Sequence, residues 1–195
     1  AKELLLGEDR QKAADLLREV LAQDPEQSDA AQLMSELYWQ DGRFDDALPL
    51  LEMLTRKEAE RGIQVVRLVR LSQACLGAGL RDKARRAYRR ALELDGKDLG
   101  ALRGLLPLLI ETGQFVDARQ LSETLLAEHR ESLSRPELAE LFATLGQAEM
   151  ALGNPDAALS ALQKAREQEP MHRRALSQLR RIDQLSAEEK LEVRQ

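Results

Sequence analysis

The sequence has 195 residues, of which 43% are hydrophobic and 3% aromatic, and its formal net charge is −5. Alanine, leucine, glutamate, glutamine, lysine and arginine dominate. These residues lose the least conformational freedom on entering a helix. The composition therefore excludes a β-rich protein, predicts an all-α fold and allows a sizeable core. Uncharged apolar runs stay well short of the roughly 18 residues of a membrane span, so we expect no membrane insertion by this segment.

A glycine followed about five residues later by an alanine recurs along the chain. The pairs are Gly7/Ala13, Gly42/Ala47, Gly79/Ala84, Gly113/Ala118 and Gly153/Ala158. Successive alanines of these pairs lie 34, 37, 34 and 40 residues apart. A step near 34 residues is the period of helix-turn-helix arrays. The spacing therefore predicts an array of helix pairs rather than a single globule.

The second repeat shows the predicted hairpin most clearly. Apolar residues at helical spacing predict a first helix over Ser28–Gln40 and a second helix from Phe44. Gly42 lies just past the first helix, where a left-handed residue without a Cβ closes the helix end. Ala47 lies early in the second helix, where a larger side chain would push the two helices apart. The apolar residues concerned are Leu33, Met34, Leu37 and Tyr38, then Ala47, Leu48, Leu51 and Leu54.

Three later units repeat the pattern, and about a dozen helices are predicted in all. In the fifth unit, Asn154 is the expected N-cap and Pro155 the first residue of the second helix, which ends before Pro170. Pro107 lies within a predicted helix over Leu102–Glu111 and is expected to kink or shorten it. The pattern residues are Leu68, Leu71, Cys75, Gly79, Ala84, Tyr88 and Ala91; Leu102, Leu105, Leu109, Gly113, Ala118 and Leu125; and Phe142, Leu145, Gly146, Gly153, Ala158, Leu162 and Ala165.

The two spacings longer than 34 residues, 37 and 40, indicate insertions near Lys57–Ile63 and His129–Arg135. Insertions in repeat arrays lengthen loops or helices on one face, so these segments either carry partner contacts or are plain extensions.

Both ends of the sequence look like parts of further repeats. Ala1–Leu6 is predicted to form the final turns of a first helix, and Met171–Gln184 another first helix. Ser186–Glu189 has the pattern of a capping box and is predicted to open a short polar last helix. The sequence is therefore expected to be a segment of a longer protein.

This arrangement of small residues, turn glycine, second-helix alanine and closing proline resembles the tetratricopeptide repeat family over nearly the whole chain. The sequence departs from the family pattern at the early tryptophan, where Ala31, Leu68 or Leu102 stands, and closing prolines occur only at Pro25 and Pro170. The resemblance implies an all-α, right-handed superhelical solenoid of antiparallel helix pairs. About six repeats are expected, at residues 1–27 (partial), 28–62, 63–98, 99–135, 136–170 and 171–195 (partial, capping).

Residues for catalysis or metal binding do not converge in this sequence. His129 and His172 fall at opposite ends of predicted helices, with no cysteine or paired carboxylate at metal-ligand spacing. Each glycine is explained by a turn or by close helix packing, so no phosphate-binding loop is predicted. Cys75 lies on an apolar helix face with Leu68 and Leu71, which indicates a structural buried thiol. We therefore predict a protein that is not an enzyme, with no catalytic residues, metal site or cofactor.

Charge is unevenly distributed along the chain. Residues 1–62 carry a balance of −7, residues 63–110 of +6 and residues 111–195 of −4. The densest basic stretch lies in a second helix, which the resemblance places on the convex side of the array. It forms either a solvated outer face or a patch for an anionic partner. Nucleic acid is not the expected partner, because the chain is acidic overall and no aromatic residues interleave for base stacking. The basic patch consists of Arg85, Arg86, Arg89 and Arg90.

The resemblance also places the first helices along a concave groove, where members of the family bind extended or helical peptides. The charges predict a groove that runs from acidic to basic and a partner segment with acidic residues opposite Arg70 and Arg103; the alternative is that these side chains are only solvated. Residues expected on or near the groove are Asp29, Gln32, Glu36, Arg70, Gln73, Arg103, Gln147, Arg174, Ser177 and Arg181.

Two further expectations concern ligand recognition in the second repeat. Chaperone-binding members of the family hold a terminal carboxylate with a lysine and an asparagine, whereas Gln32 and Glu36 stand here, so no chaperone-tail clamp is predicted. Trp39, the single tryptophan, is expected to pack against its neighbours, or to anchor a ligand if it faces the groove.

From the resemblance we expect a protein-interaction scaffold that binds a partner protein or peptide through its concave groove, within a bacterial assembly, secretion or polysaccharide-export complex. The alternatives are an accessory or regulatory module of a larger enzyme or membrane export protein, and a spacer that self-associates through its end repeats. The residue pattern does not choose between the concave and convex faces, nor between the cytoplasm and the bacterial periplasm.

Overall fold

The computed structural model describes the backbone of residues 8–192 and the side chains of residues 10–184. Within this range the regular elements are ten α-helices and one short 3-10 turn, with no strand. The helices are α1 (Glu8–Gln23), α2 (Ser28–Gln40), α3 (Phe44–Lys57), α4 (Arg61–Gly77), α5 (Arg81–Leu94), α6 (Leu99–Glu111), α7 (Phe115–Glu128), α8 (Arg135–Ala151), α9 (Pro155–Gln168) and α10 (Arg173–Glu192), and the 3-10 turn covers Arg130–Ser132. The predicted all-α fold is confirmed.

The chain divides into two compact units, residues 1–104 and residues 105–195, with the boundary inside α6. In the described part of the first unit, α2 pairs with α3 and α4 pairs with α5. In the second unit, α8 pairs with α9, and α10 packs against both. Helices joined by such short connections run antiparallel, so each pair is a helical hairpin whose members we term its first helix and its second helix. The predicted helical-repeat architecture is thereby confirmed.

Each hairpin turn holds a glycine in the left-handed conformation. In the α2–α3 turn, the backbone N–H of Arg43 donates to the carbonyl of Tyr38 at 2.8 Å. This bond pairs a carbonyl that the end of α2 would otherwise leave unsatisfied. The expectation for Gly42 is therefore confirmed, and the later turns share its geometry. The glycines and their φ angles are Gly42 (69°), Gly79 (76°), Gly113 (69°) and Gly153 (79°).

The alanines that follow these glycines lie at the contact between paired helices. They are 0% exposed, as expected for positions where only a methyl group fits. Ala13 differs, because it is only half-buried, while its neighbour Ala14 packs against Met34 and Leu37. Gly7 lies outside the described residues. The buried alanines are Ala47, Ala84, Ala118 and Ala158.

The two insertions lengthen first helices. α4 and α8 contain 17 residues each, whereas α2 and α6 contain 13. The additional turn stands at the start of each long helix, next to Lys57–Ile63 and His129–Arg135. At the second of these places the backbone N–H of Ser134 donates to the Glu137 carboxylate at 2.8 Å, which secures the first turn of α8.

Two glycines inside helices allow close approach between neighbours. Tyr88 on α5 is 2% exposed and lies against Gly104, where an added Cβ would overlap its ring. On α8, a Cβ added at Gly146 would lie 2.7 Å from Cγ of Leu162 on α9. The missing side chains therefore set how near α6 lies to α5 and how near α8 lies to α9.

Pro107 lies inside α6 without shortening it. α6 has the same 13 residues as α2, so the predicted shortening is wrong. The leucines around the proline are buried. The free energy gained by their burial offsets the loss of the backbone hydrogen bond that a proline cannot donate. These residues are Leu105, Leu106, Leu108 and Leu109.

The last helix is longer than the sequence suggested. α10 runs without a break from Arg173 to Glu192, so the prediction that Ser186–Glu189 opens a separate helix is wrong. The sequence of α10 contains no glycine or proline that would end it. This continuous helix is one reason why the described range holds fewer helices than the dozen predicted. Ala1–Leu6, the other predicted end segment, lies outside the described residues.

The backbone at the start of α9 is as predicted, but the side chain of Asn154 does not cap the helix. Asn154 occupies the N-cap position and Pro155 the first turn, as expected. The Asn154 amide, however, donates to Oε2 of Glu149 at 2.8 Å instead of capping α9. Glu149 is 8% exposed, and a buried carboxylate needs such a donor more than a solvated helix end does.

We expect Gly104→Ala to lower the free energy of unfolding by about 1–3 kcal/mol, because the new methyl group overpacks the contact with Tyr88. Gly96→Ala is the matched control, since a Cβ there would meet its nearest neighbour at an ordinary 3.7 Å. Urea denaturation followed by circular dichroism measures both values. A Gly104→Ala protein as stable as the Gly96→Ala protein would contradict the packing described for this contact.

Candidate functional site

Glu36 on α2 and Arg70 on α4 form an ion pair on the first unit. The Arg70 guanidinium donates to Oε2 of Glu36, 34 residues earlier in the sequence. The two side chains are 36% (Arg70) and 45% (Glu36) exposed. Water therefore screens the pair, and exposed pairs of this kind contribute at most about 1 kcal/mol to stability. The pair links two successive first helices and leaves both charges within reach of solvent.

The Arg70 guanidinium also lies over the ring of Trp39, 4.6 Å from its centroid. Trp39 meets Phe44 edge to face, with ring centroids 5.2 Å apart. Phe44 in turn lies against Gly77, where an added Cβ would overlap its ring. A cation over an indole face is attracted by the ring, so Trp39 packs, as expected, and also holds Arg70 in place. We call Glu36, Trp39, Phe44, Arg70 and Gly77 the Arg70 cluster.

Two large apolar side chains lie exposed beside the Arg70 cluster. Leu33 is 55% exposed and precedes Glu36 by three residues, while Val66 is 64% exposed and precedes Arg70 by four. Residues at these spacings share one face of a helix. Leu33, one of the periodic apolar residues that predicted α2, lies outside the core, which α2 contacts through Met34 and Leu37. Sequence reasoning missed Val66, whose only signal is its position one turn before Arg70.

Other predicted groove residues of the first unit lie on the same series of helices. Asp29, Gln32 and Gln73 are exposed on α2 and α4. An added Cβ at Gly100 would lie 3.1 Å from Cγ1 of Val69, so the start of α6 packs on α4. Arg103, three residues after Gly100, is exposed on α6. The predicted groove residues of this unit thus occupy three neighbouring first helices.

The predicted residues of the second unit are arranged differently. Arg174 on α10 reaches back to α8, with Nη1 2.5 Å from Oε1 of Glu140. His172 Nε2 lies 3.1 Å from the other carboxylate oxygen of Glu140. Glu140 therefore connects α8 to the start of α10 through two partners. Gln147 is half-buried on α8, and Arg181 and Ser177 are exposed on α10.

The basic patch of α5 lies opposite the buried face of this helix. Ala84, Tyr88 and Ala91 turn inward and are at most 2% exposed. Arg85 pairs with Asp82 at 2.8 Å and Arg90 with Glu93 at 2.6 Å, so acidic residues of α5 itself neutralise part of the charge. Arg86 and Arg89 are exposed on the same helix.

A small cluster of ionisable groups lies between α4 and α5. Cys75 is 0% exposed, as its interpretation as a buried thiol requires, and burial raises the pKa of the thiol. Burial also raises the pKa of the Tyr88 phenol. Lys83 pairs with Glu52 on α3, and that hydrogen bond raises the pKa of the Lys83 ammonium group. The Cys75 thiolate is therefore disfavoured at neutral pH, which makes this cysteine a poor nucleophile.

The cavity between α1 and α2 has a volume of about 230 Å³ and combines an apolar floor with charged walls. Arg10 in its wall pairs with Asp41 at 2.6 Å. Arg43, also in the wall, lies over the ring of Tyr38 at 4.6 Å from its centroid. The charged side chains in the cavity wall therefore already contact other residues of this chain.

Two features are absent from the residues that the structure describes: a clustered set of metal-binding side chains and a helix able to span a membrane. Among them, no group of three or more histidine, cysteine, aspartate or glutamate side chains is placed to hold a metal ion. None of the helices there has the length and apolar character that crossing a bilayer requires.

The repeat pattern matches three family models, each described as a tetratricopeptide repeat. They match residues 4–71, 67–98 and 143–179, which together span more than half of the chain. No curated protein sequence matches the chain.

Several solved structures share the fold. YrrB, described as a tetratricopeptide-repeat protein with an unusual peptide-binding site, matches with a TM-score of 0.70 at 20% identity, over 87% of this chain and 83% of that chain. MamA from Desulfovibrio magneticus RS-1 matches with a TM-score of 0.62 at 17% identity, over 83% and 96% of the two chains. The first such domain of Spaghetti (RPAP3), bound to the HSP90 peptide SRMEEVD, matches with a TM-score of 0.54 at 20% identity, over 63% and 93%. At these identities the likeness shows the fold alone.

We expect the free energy of unfolding to fall as the pH rises above about 9, because Cys75, Lys83 and Tyr88 all have raised pKa values in the folded chain. A group with a raised pKa leaves stability unchanged below its unfolded pKa and lowers it as the pH rises towards the folded value. Urea titrations at about pH 7 and about pH 10 measure the difference. The double variant Cys75→Ala/Tyr88→Phe should show a weaker dependence; the same dependence in both proteins would refute the assignment to these groups.

Proposed function

Because this chain belongs to the tetratricopeptide-repeat family, we propose that it is a non-enzymatic interaction module that binds a segment of a partner protein on its first helices. The observation that carries the proposal is the face of α2 and α4, where two exposed apolar side chains lie beside an ordered ion pair. Covering Leu33 and Val66 removes apolar surface from water, and Glu36 and Arg70 offer charged contacts next to them. Such a combination of apolar anchor points and polar groups is typical of binding surfaces.

The geometry favours an extended segment over a compact ligand. Neighbouring packed helices lie about 8–10 Å apart, and an extended chain rises about 3.3 Å per residue. A segment that crosses α2, α4 and the start of α6 would therefore meet a new helix about every three residues. Gln32 and Gln73 offer amide groups to the backbone of such a segment, and Arg103 offers a guanidinium group.

Comparison with related folds supports a peptide as the class of ligand. YrrB is described with a peptide-binding site, and the Spaghetti domain is bound to an HSP90 peptide. We carry the class of ligand over to this chain by analogy of fold. By the same analogy, we propose Gln147, Arg174 and Arg181 as contacts in the second unit and a bacterial assembly, secretion or polysaccharide-export complex as the setting.

A phage-displayed library of random peptides tests the proposal directly. We expect the wild-type chain to select peptides, and the double variant Leu33→Glu/Val66→Glu to bind them at least about tenfold more weakly, because each new carboxylate would be desolvated under the ligand. Circular dichroism verifies that the variant keeps its helices.

Val116→Glu is the matched control for this experiment. Val116 is also 55% exposed but lies on α7, which belongs to the other compact unit. Its variant should bind the selected peptides as the wild type does. Failure to select any peptide, or equal binding by the double variant and the control, would argue against this function.

A further inference from the structure

The Arg70 guanidinium is positioned before any ligand arrives. The Trp39 ring supports one of its faces, Phe44 fixes Trp39 by an edge contact, and Gly77 leaves room for Phe44. A planar donor held in this way loses less conformational freedom on binding than a mobile one. Arg70 is nonetheless 36% exposed, so a ligand group can reach its N–H donors.

The natural acceptor for such a guanidinium is a carboxylate. Arginine presents its donors in one plane and pairs with carboxylates through charge-assisted hydrogen bonds. In this chain the acceptor is the carboxylate of Glu36. Glu36 is itself 45% exposed, and a glutamate side chain has rotatable bonds that allow it to turn towards solvent.

We propose that the Arg70 cluster is a binding site for an acidic side chain of the partner segment, and that Glu36 is a built-in competitor which the incoming carboxylate displaces. This inference rests on the proposed function and adds the chemistry of the ligand. A segment with a neutral residue at this point gains nothing by displacing Glu36, so the competition makes the site selective for acidic segments.

The exposed apolar residues define a second requirement. Leu33 lies three residues, about 4.5 Å along the helix, before Glu36, and Val66 lies four residues, about 6 Å, before Arg70. Alternate side chains of an extended segment point to the same side and lie about 6.5–7 Å apart. Where the bound segment follows the axis of α2 or α4 at this point, it therefore carries an apolar residue two positions away from its glutamate or aspartate.

Two blocked peptides test the proposal, acetyl-EGLGEGLG-amide and its neutral counterpart acetyl-QGLGQGLG-amide, neither of which has a terminal carboxylate. Binding is followed by nuclear magnetic resonance at the indole N–H of Trp39, which gives a single signal because the chain has one tryptophan. We expect Glu36→Gln to bind the glutamate peptide about fivefold more tightly than the wild type does, because the competitor is gone. The neutral peptide should gain nothing, and Arg70→Gln should lose the preference for glutamate.

Glu140→Gln is the matched control, because Glu140 also pairs with an arginine of the next first helix. It should leave the titration at Trp39 unchanged. The proposal is overturned if Glu36→Gln binds the glutamate peptide no more tightly than the wild type, if both peptides gain equally, or if the Trp39 signal does not respond in Glu36→Gln. Peptide selection that depends on Leu33 and Val66 could still succeed in these cases, so the two proposals fail separately.

Discussion

The structure depends on helices that approach closely where one of them has little or no side chain. Ala47 and Ala84 are completely buried at the crossings within their hairpins, and Gly104 leaves room for the Tyr88 ring. Larger residues at these points would force the helices apart and open voids in a core that must be close-packed. The same constraint acts in the candidate site. Gly77 has no side chain, so Phe44 can pack against its backbone. Phe44 contacts Trp39, and Trp39 lies beneath the Arg70 guanidinium.

The hairpins could be predicted from the sequence because local rules decide them. A turn glycine needs a positive φ, and periodic apolar residues mark the ends of helices, so the bounds of α2 and the start of α3 follow directly. Predictions failed where a local signal was overridden or misread. Pro107 does not shorten α6, whose neighbouring leucines are buried, and α10 continues through Ser186 because no breaker interrupts it. Periodicity also cannot tell which apolar residues a neighbouring helix covers, and Leu33 is one that no helix covers completely.

The candidate site was predicted only as a set of positions. The resemblance to a repeat family indicated which faces of the first helices to examine, and the structure shows Gln32, Gln73 and Arg103 exposed there. The pairing of Arg70 with Glu36, and its stacking on Trp39, could not be derived from spacing. Both contacts depend on how far a long flexible side chain of α4 reaches across to α2, which only the packed helices determine.

The contacts between hairpins have a consequence for how the chain acquires its structure. Arg10 meets Asp41 across 31 residues, Glu36 meets Arg70 across 34, and Glu140 meets His172 across 32. Each contact closes a loop of about one repeat, so its entropic cost is modest and no distant segment has to be found. Topologies built from such local contacts fold quickly. A hairpin can therefore form and dock on its predecessor during translation, as soon as the ribosome has released the next few dozen residues.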